Sequence, residues 1–276
     1  MKVFYVILFS LAVSIKSFSQ EPDFLSKYSY LCLGFTGTKA HSGTCFFYKE
    51  KSKIYVVSNY HVFYDMDPFN GVIVSHIDSF KIIIPDTNSH RNNLITLFNG
   101  NDTVETFRHY DRLDLMAKRV NIDKKIKINF INEFLDKKYV DSIPIRVYTF
   151  GYPLSLIMGF NVNNGNTFKI EKKVELYYHE GFTQFPNSYV TPAPKSYFGI
   201  SLNTEPTDQI LEKMNKTEIE FGGYCEKGSS GSPIFGQFIK NKKIVYKLIG
   251  VIFGSNQSLN TTIAIKLSSI FYYLVD

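Results

Sequence analysis

The pattern of the chain predicts an all-β fold, a sandwich or a barrel, and three observations carry that prediction. From residue 28 onward, short apolar or alternating segments are separated at close intervals by turn residues such as Thr36-Gly-Thr, Pro68-Phe-Asn-Gly, Pro85-Asp-Thr-Asn and Asn99-Gly-Asn. The composition leans the same way: 19 Tyr and 25 Phe, with abundant Ile and Val, suit a pleated, half-buried surface. A helical period is convincing only at residues 267–274, where Leu267, Ile270 and Leu274 fall on one face of a short closing helix.

Residues 1–19 precede the strands and differ from them. Lys2 is followed by an apolar run from Val3 to Phe9, then Leu11-Ala-Val and Lys16, and Ser17-Phe-Ser19 is a small-x-small pattern. That layout predicts a secretory signal peptide, cleaved after Ser19, and export to the periplasm or the medium. The run is short for a membrane span, so stable membrane insertion after cleavage is not expected. Strands are then predicted at 28–35, 44–48, 54–58, 72–77, 80–84, 94–98 and 113–120. The polar stretch 121–138 is the natural connection between two halves, residues 20–135 and 136–276. The second half has predicted strands at 145–150, 168–178, 196–202, 233–239 and 244–253, with Lys240, Lys242 and Lys243 at a solvated hairpin tip.

Length and composition bound the function. The 276 residues make one large domain or two ordinary ones, and 44% hydrophobic with 20% charged residues excludes disordered and fibrous classes. The net charge of +6 falls to +4 without Lys2 and Lys16, and the basic residues are dispersed, which does not suit a nucleic-acid partner. Cys32, Cys45 and Cys225 are too few and too widely spaced for a zinc site. A bridge, if one forms, joins Cys32 and Cys45 across the first hairpin; two buried thiols are the alternative.

The chemistry concentrates at Gly228-Ser-Ser-Gly-Ser-Pro233. Two glycines and a proline within six positions impose a tight irregular turn, which presents a serine hydroxyl away from any ladder and lets a second backbone come close. Successive N–H groups of such a turn can converge on an anion. A serine hydroxyl needs a base to take its proton and a carboxylate to orient that base. Of the six histidines, His61 sits just past the end of an apolar strand, where a scaffold holds an imidazole rigidly. Asp114 opens another apolar segment, with Asp111 as its rival. No histidine follows Ser230, which excludes the α/β-hydrolase order of serine, acid, histidine.

Three motifs, Val56-Val-Ser-Asn-Tyr-His61-Val, Asp114-Leu-Met-Ala and Gly228-Ser-Ser230-Gly-Ser-Pro, resemble those of the trypsin/chymotrypsin-like serine peptidases, particularly their bacterial glutamyl-endopeptidase-like and heat-shock-protease-like branches. Ser42-Gly-Thr-Cys, Phe150-Gly-Tyr-Pro153 and Leu248-Ile-Gly-Val-Ile-Phe-Gly254 are further echoes, so the likeness runs through residues 28–275. The resemblance implies two six-stranded antiparallel β-barrels with the site between them. It makes His61 the general base, Asp114 its orienting acid and Ser230 the nucleophile, with the Gly228 and Ser230 N–H groups as the oxyanion hole. It also implies a protein or peptide substrate, cut through an acyl-enzyme with no metal or organic cofactor. Tyr224, Cys225, Val251 and Phe253 would border the specificity pocket; the lack of a carboxylate at Tyr224 argues against Lys or Arg at the cleavage site and Val251 against acidic residues, which leaves small or apolar ones. Ser229 replaces the acid that trypsin-type enzymes use to bind a new N-terminus, so activation by that pairing is not expected. The alternative on the same fold is a catalytically silent binding or adhesion protein.

Overall fold

The computed structural model describes residues 23–37, 39–66, 73–85, 92–100, 106–108, 114–139, 142, 144, 146–152, 160–163, 167–170, 177–181, 196–197, 200–201, 218–222, 228–256 and 261–266. The expected signal peptide and the closing helix at 267–274 lie outside the described residues. So do Asp111, Tyr224 and Cys225.

Strands dominate. The first half carries β1 (Tyr30–Thr36), β2 (Lys39–Glu50), β3 (Lys53–Ser58), β4 (Tyr64–Met66), β5 (Ile73–His76), β6 (Ser79–Pro85), β7 (Asn92–Asn99), β8 (Thr106–Arg108) and β9 (Met116–Val120). The second carries β10 (Arg146–Gly151), β11 (Phe160–Asn163), β12 (Thr167–Ile170), β13 (Tyr177–Gly181), β14 (Ser196–Tyr197), β15 (Ile200–Ser201), β16 (Glu218–Gly222), β17 (Pro233–Lys240), β18 (Lys243–Asn256) and β19 (Thr261–Lys266). A seven-stranded antiparallel sheet has the order β7-β6-β1-β2-β3-β9-β8, and a six-stranded one the order β13-β10-β17-β18-β19-β16. Seven strands stand where six are expected, because the short β8 pairs with the outer edge of β9.

The apolar runs in the sequence are explained by burial on both faces. Along β2 and β3, Cys45, Phe47 and Val56 turn into a core enclosed by the first sheet with Tyr30, Phe63, Phe80 and Ile82. The alternate residues Phe46, Tyr48, Tyr55 and Val57 face a second core shared with Tyr148, Phe150, Phe235, Leu248, Val251 and Ile265 of the other sheet. A period-2 pattern that is apolar at every position is what a strand buried on both faces requires. A third core, built on Val147, Ile234, Phe238, Ile249, Ile252 and Ala264, belongs to the second sheet alone. The shared core therefore joins the two sheets.

The connection after β9 is more than a polar tether. Ile131 and Phe134 bury themselves in the shared core, and the Asn132 side chain grips β2 through both backbone groups of Lys49, accepting at 2.9 Å and donating at 2.6 Å. Cys32 and Cys45 are free, wholly buried thiols on adjacent strands; burial, and then the neighbouring Cys32, push the Cys45 thiol well above its usual range.

Candidate active site

The segment bearing the predicted base folds as the sequence suggests: β3 ends at Ser58, and residues Tyr60–Phe63 form a single helical turn, α1, that starts at once. Val62 and Phe63 anchor this turn in the first core, which leaves His61 on its outer side with 31% of its side chain exposed. Asp114, just before β9, lies beside it because β3 and β9 are antiparallel neighbours with Ser58 opposite Met116.

Every acceptor of Asp114 is used. Its Oδ1 accepts the His61 backbone N–H at 2.8 Å, and its Oδ2 is hydrogen-bonded to His61 Nδ1. Its main-chain carbonyl accepts from Asn59 Nδ2 at 2.6 Å. A carboxylate accepts only, so Nδ1 carries the proton in this pair and the lone pair of neutral imidazole is left at Nε2. The carboxylate side chain is 6% exposed, which keeps the contact dry. Asn59, fully buried at the head of α1, makes no cap bond to the helix; its amide goes to Asp114 instead. Sequence reasoning overlooked Asn59, although a buried-looking amide two residues before a candidate base was a usable signal.

The turn that carries Ser230 is anchored by Thr44 of β2. The Thr44 N–H donates to the Ser230 carbonyl at 2.8 Å, Thr44 Oγ1 donates to the Gly228 carbonyl at 3.4 Å, and Tyr152 N–H donates to that same Oγ1 at 3.0 Å. On its other side the Thr44 carbonyl accepts from Ser58 Oγ at 2.7 Å. One buried threonine thus ties the serine turn, β10's end and the strand leading to His61 into a single network. Two glycines measure how close the parts lie. A Cβ on Gly43 would meet both methyls of Val62, at 2.8 and 2.9 Å, and the Ser230 carbonyl at 3.2 Å. A Cβ on Gly231 would lie 2.0 Å from the Thr44 carbonyl oxygen and 2.2 Å from Ser58 Oγ.

The turn itself has Gly228 and Gly231 at φ of +99° and +84°, conformations that other residues rarely adopt. It is held from behind by Gly231 N–H to Ile252 O (2.8 Å) and Ile252 N–H to Ser232 O (2.9 Å). Among the described residues, none accepts a hydrogen bond from the Gly228 or Ser230 N–H. Val251 and Phe253, expected at the specificity pocket, are both buried in the shared core, Val251 with no exposed surface. No group of His, Cys, Asp and Glu suited to a metal ion occurs among the described residues.

Solved structures provide the comparison. HL collagenase superposes with a TM-score of 0.51 over 90% of this chain and 92% of its own, at 12% identity. A thermostable serine protease from an extremophilic microorganism superposes with a TM-score of 0.50 over 90% of this chain and 95% of its own, at 11% identity. The chain has the trypsin/chymotrypsin fold. Sequence comparison alone finds neither a matching family profile nor a matching curated protein, and identities this low speak for the fold and not for an activity. Within a chymotrypsin-like fold, the imidazole–carboxylate pair stands on the first sheet and the glycine-flanked serine turn on the second, joined through Thr44.

Proposed function

We propose that the protein is an exported serine endopeptidase that cuts peptide bonds with Ser230 as nucleophile. The observation that carries this reading is the hydrogen-bonded His61–Asp114 pair tied through Ser58 and Thr44 to the Ser230 carbonyl. His61 Nε2 takes the Ser230 hydroxyl proton as Oγ bonds to the substrate carbonyl carbon. The carbonyl π electrons move to oxygen, where the N–H groups of Gly228 and Ser230 are suited to stabilise the charge. The imidazolium, steadied by Asp114, returns the proton to the leaving amine as the C–N bond breaks. Water, activated by the same imidazole, then hydrolyses the acyl ester and regenerates the hydroxyl.

The export half of the proposal rests on the Lys2-led apolar run and Ser17-Phe-Ser19. Incubation with an unfolded protein substrate tests the activity. Cleavage by the wild type that is lost in Ser230→Ala supports the reading. Absence of cleavage, or its persistence in Ser230→Ala, refutes it and favours a silent binding protein.

A further inference from the structure

All three exposed large hydrophobic side chains among the described residues converge on one stripe. They are Phe24 (49% exposed), Ile239 (58%) and Ile244 (42%). Ile239 and Ile244 are cross-strand partners near the end of the β17–β18 hairpin, and the next pair on the same face is Gln237 with Tyr246. Phe24 packs edge-on against Tyr246, with ring centroids 5.5 Å apart, so the stripe runs from Phe24 across Tyr246 to the isoleucine pair. The opposite face of the hairpin, Phe238 and Val245, belongs to the second sheet's own core.

The tip beyond the isoleucines is tightly turned and basic. Asn241 and Lys242 have φ of +51° and +63°, the backbone of a tight two-residue turn that matches the twist of the strands. Lys240 and Lys243 lie directly opposite each other, a like-charge pairing that opposes folding. From Gln237 to Lys247 the chain has four lysines and no acidic residue, and among the described residues only Lys247 of the four has a carboxylate partner, Asp136 at 3.9 Å. Lys240, Lys242 and Lys243 form no ion pair among the described residues.

From this surface we infer that the β17–β18 hairpin tip docks peripherally on an anionic lipid bilayer. Two exposed aliphatic side chains beside a tight turn can enter the headgroup boundary, while the three tip lysines meet lipid phosphates. A patch of this size is small for a stable protein interface, and the basic tip itself, Lys240 to Lys243, carries no aromatic side chain on which single-stranded nucleic acid could stack. The mode is shallow and reversible, distinct from insertion of a spanning segment. From Pro233 beside the serine turn to Lys240 is seven strand steps, about 24 Å, so a docked tip leaves the catalytic cleft open.

The chain from Gln20 onward retains every described element and removes the N-terminal apolar run as a competing lipid ligand. It contains no tryptophan, so Ile239→Trp supplies a single fluorescent reporter at the tip. Phosphatidylcholine vesicles with and without phosphatidylglycerol are added. The expected result is a blue shift and co-sedimentation with the phosphatidylglycerol vesicles only. At about fivefold per lysine, the triple variant K240E/K242E/K243E loses affinity about 100-fold. Ile239→Ser with Ile244→Ser also weakens binding, and cleavage of a soluble peptide is unchanged in all variants. No shift with phosphatidylglycerol vesicles overturns the inference, as does binding insensitive to the lysine changes. Lipid-independent dimerisation abolished by the serine pair overturns it in favour of a second copy of the chain.

Discussion

Replacing Gly231 by alanine tests the geometry on which the site depends. At φ +84° a side chain costs about 1–2 kcal/mol by local sterics alone. The added Cβ would stand 2.0 Å from the Thr44 carbonyl oxygen and 2.2 Å from Ser58 Oγ, so these two groups cannot keep their 2.7 Å hydrogen bond. Leaving a buried donor and acceptor unpaired costs about 1–3 kcal/mol more. The expected destabilisation is therefore about 2–5 kcal/mol, a large share of the roughly 5–15 kcal/mol that holds a domain together. Two companions separate the contributions. Gly37, at φ +55° with nothing within 4 Å of an added Cβ, isolates the backbone cost of about 1–2 kcal/mol. Gly254, with neither positive φ nor a near neighbour, is expected within about 0.5 kcal/mol of wild type. Urea midpoints at constant m-value report all three. If Gly231→Ala proves no more costly than Gly37→Ala, the serine turn does not press on Thr44 and Ser58 as described, and the account of how the halves meet is wrong.

Other outcomes follow from individual contacts. Asp114→Asn leaves the chain folded but lowers the rate of peptide cleavage by about 10⁴, because the Nδ1 proton loses its acceptor and the imidazole takes the wrong tautomer; a loss under tenfold removes Asp114 from its role. Asn59→Ala strands the Asp114 carbonyl and destabilises by about 1–3 kcal/mol, read from the urea midpoint. In alkaline titration Tyr48, pushed up to about 12 by burial and then by Glu50 and Tyr55, stays protonated in the folded chain while an unfolded tyrosine ionises near 10. The folded state then holds the extra proton, and its stability falls as pH rises from about 10 through 12. The difference in tyrosinate absorbance between wild type and Tyr48→Phe isolates this residue among the 19 tyrosines, and a midpoint near pH 10 in that difference with the fold intact would contradict the placement.

What the sequence disclosed followed the range over which each signal acts. β2 and β3 stood out because residues 45–48 and 54–57 are unbroken apolar runs, β17 and β18 because Ile234-Phe235 and residues 248–253 are nearly so, and the order His61, Asp114, Ser230 could be read directly along the chain. β16 escaped notice because its strict alternation, Glu218-Ile-Glu-Phe221, lasts only four residues, and β19 because it opens on two consecutive threonines. β8 is three residues long and exists only through its pairing with β9. The direction of Val251 depends on a register shift between Ile234 and Phe235, where Ile249 is left without a partner, and that slip has no local signature. The part played by Thr44 was hidden for the same reason: its hydroxyl bonds a carbonyl 184 residues away, and a single threonine in an apolar strand reads as filler.

The most direct measurement is covalent labelling with an organophosphonate probe followed by peptide mass mapping. The catalytic account predicts one adduct, on Ser230, absent from both Ser230→Ala and His61→Ala although each remains folded. An intact chain that takes up no label, or an adduct on Ser229 or Ser232 that survives the loss of His61, contradicts it.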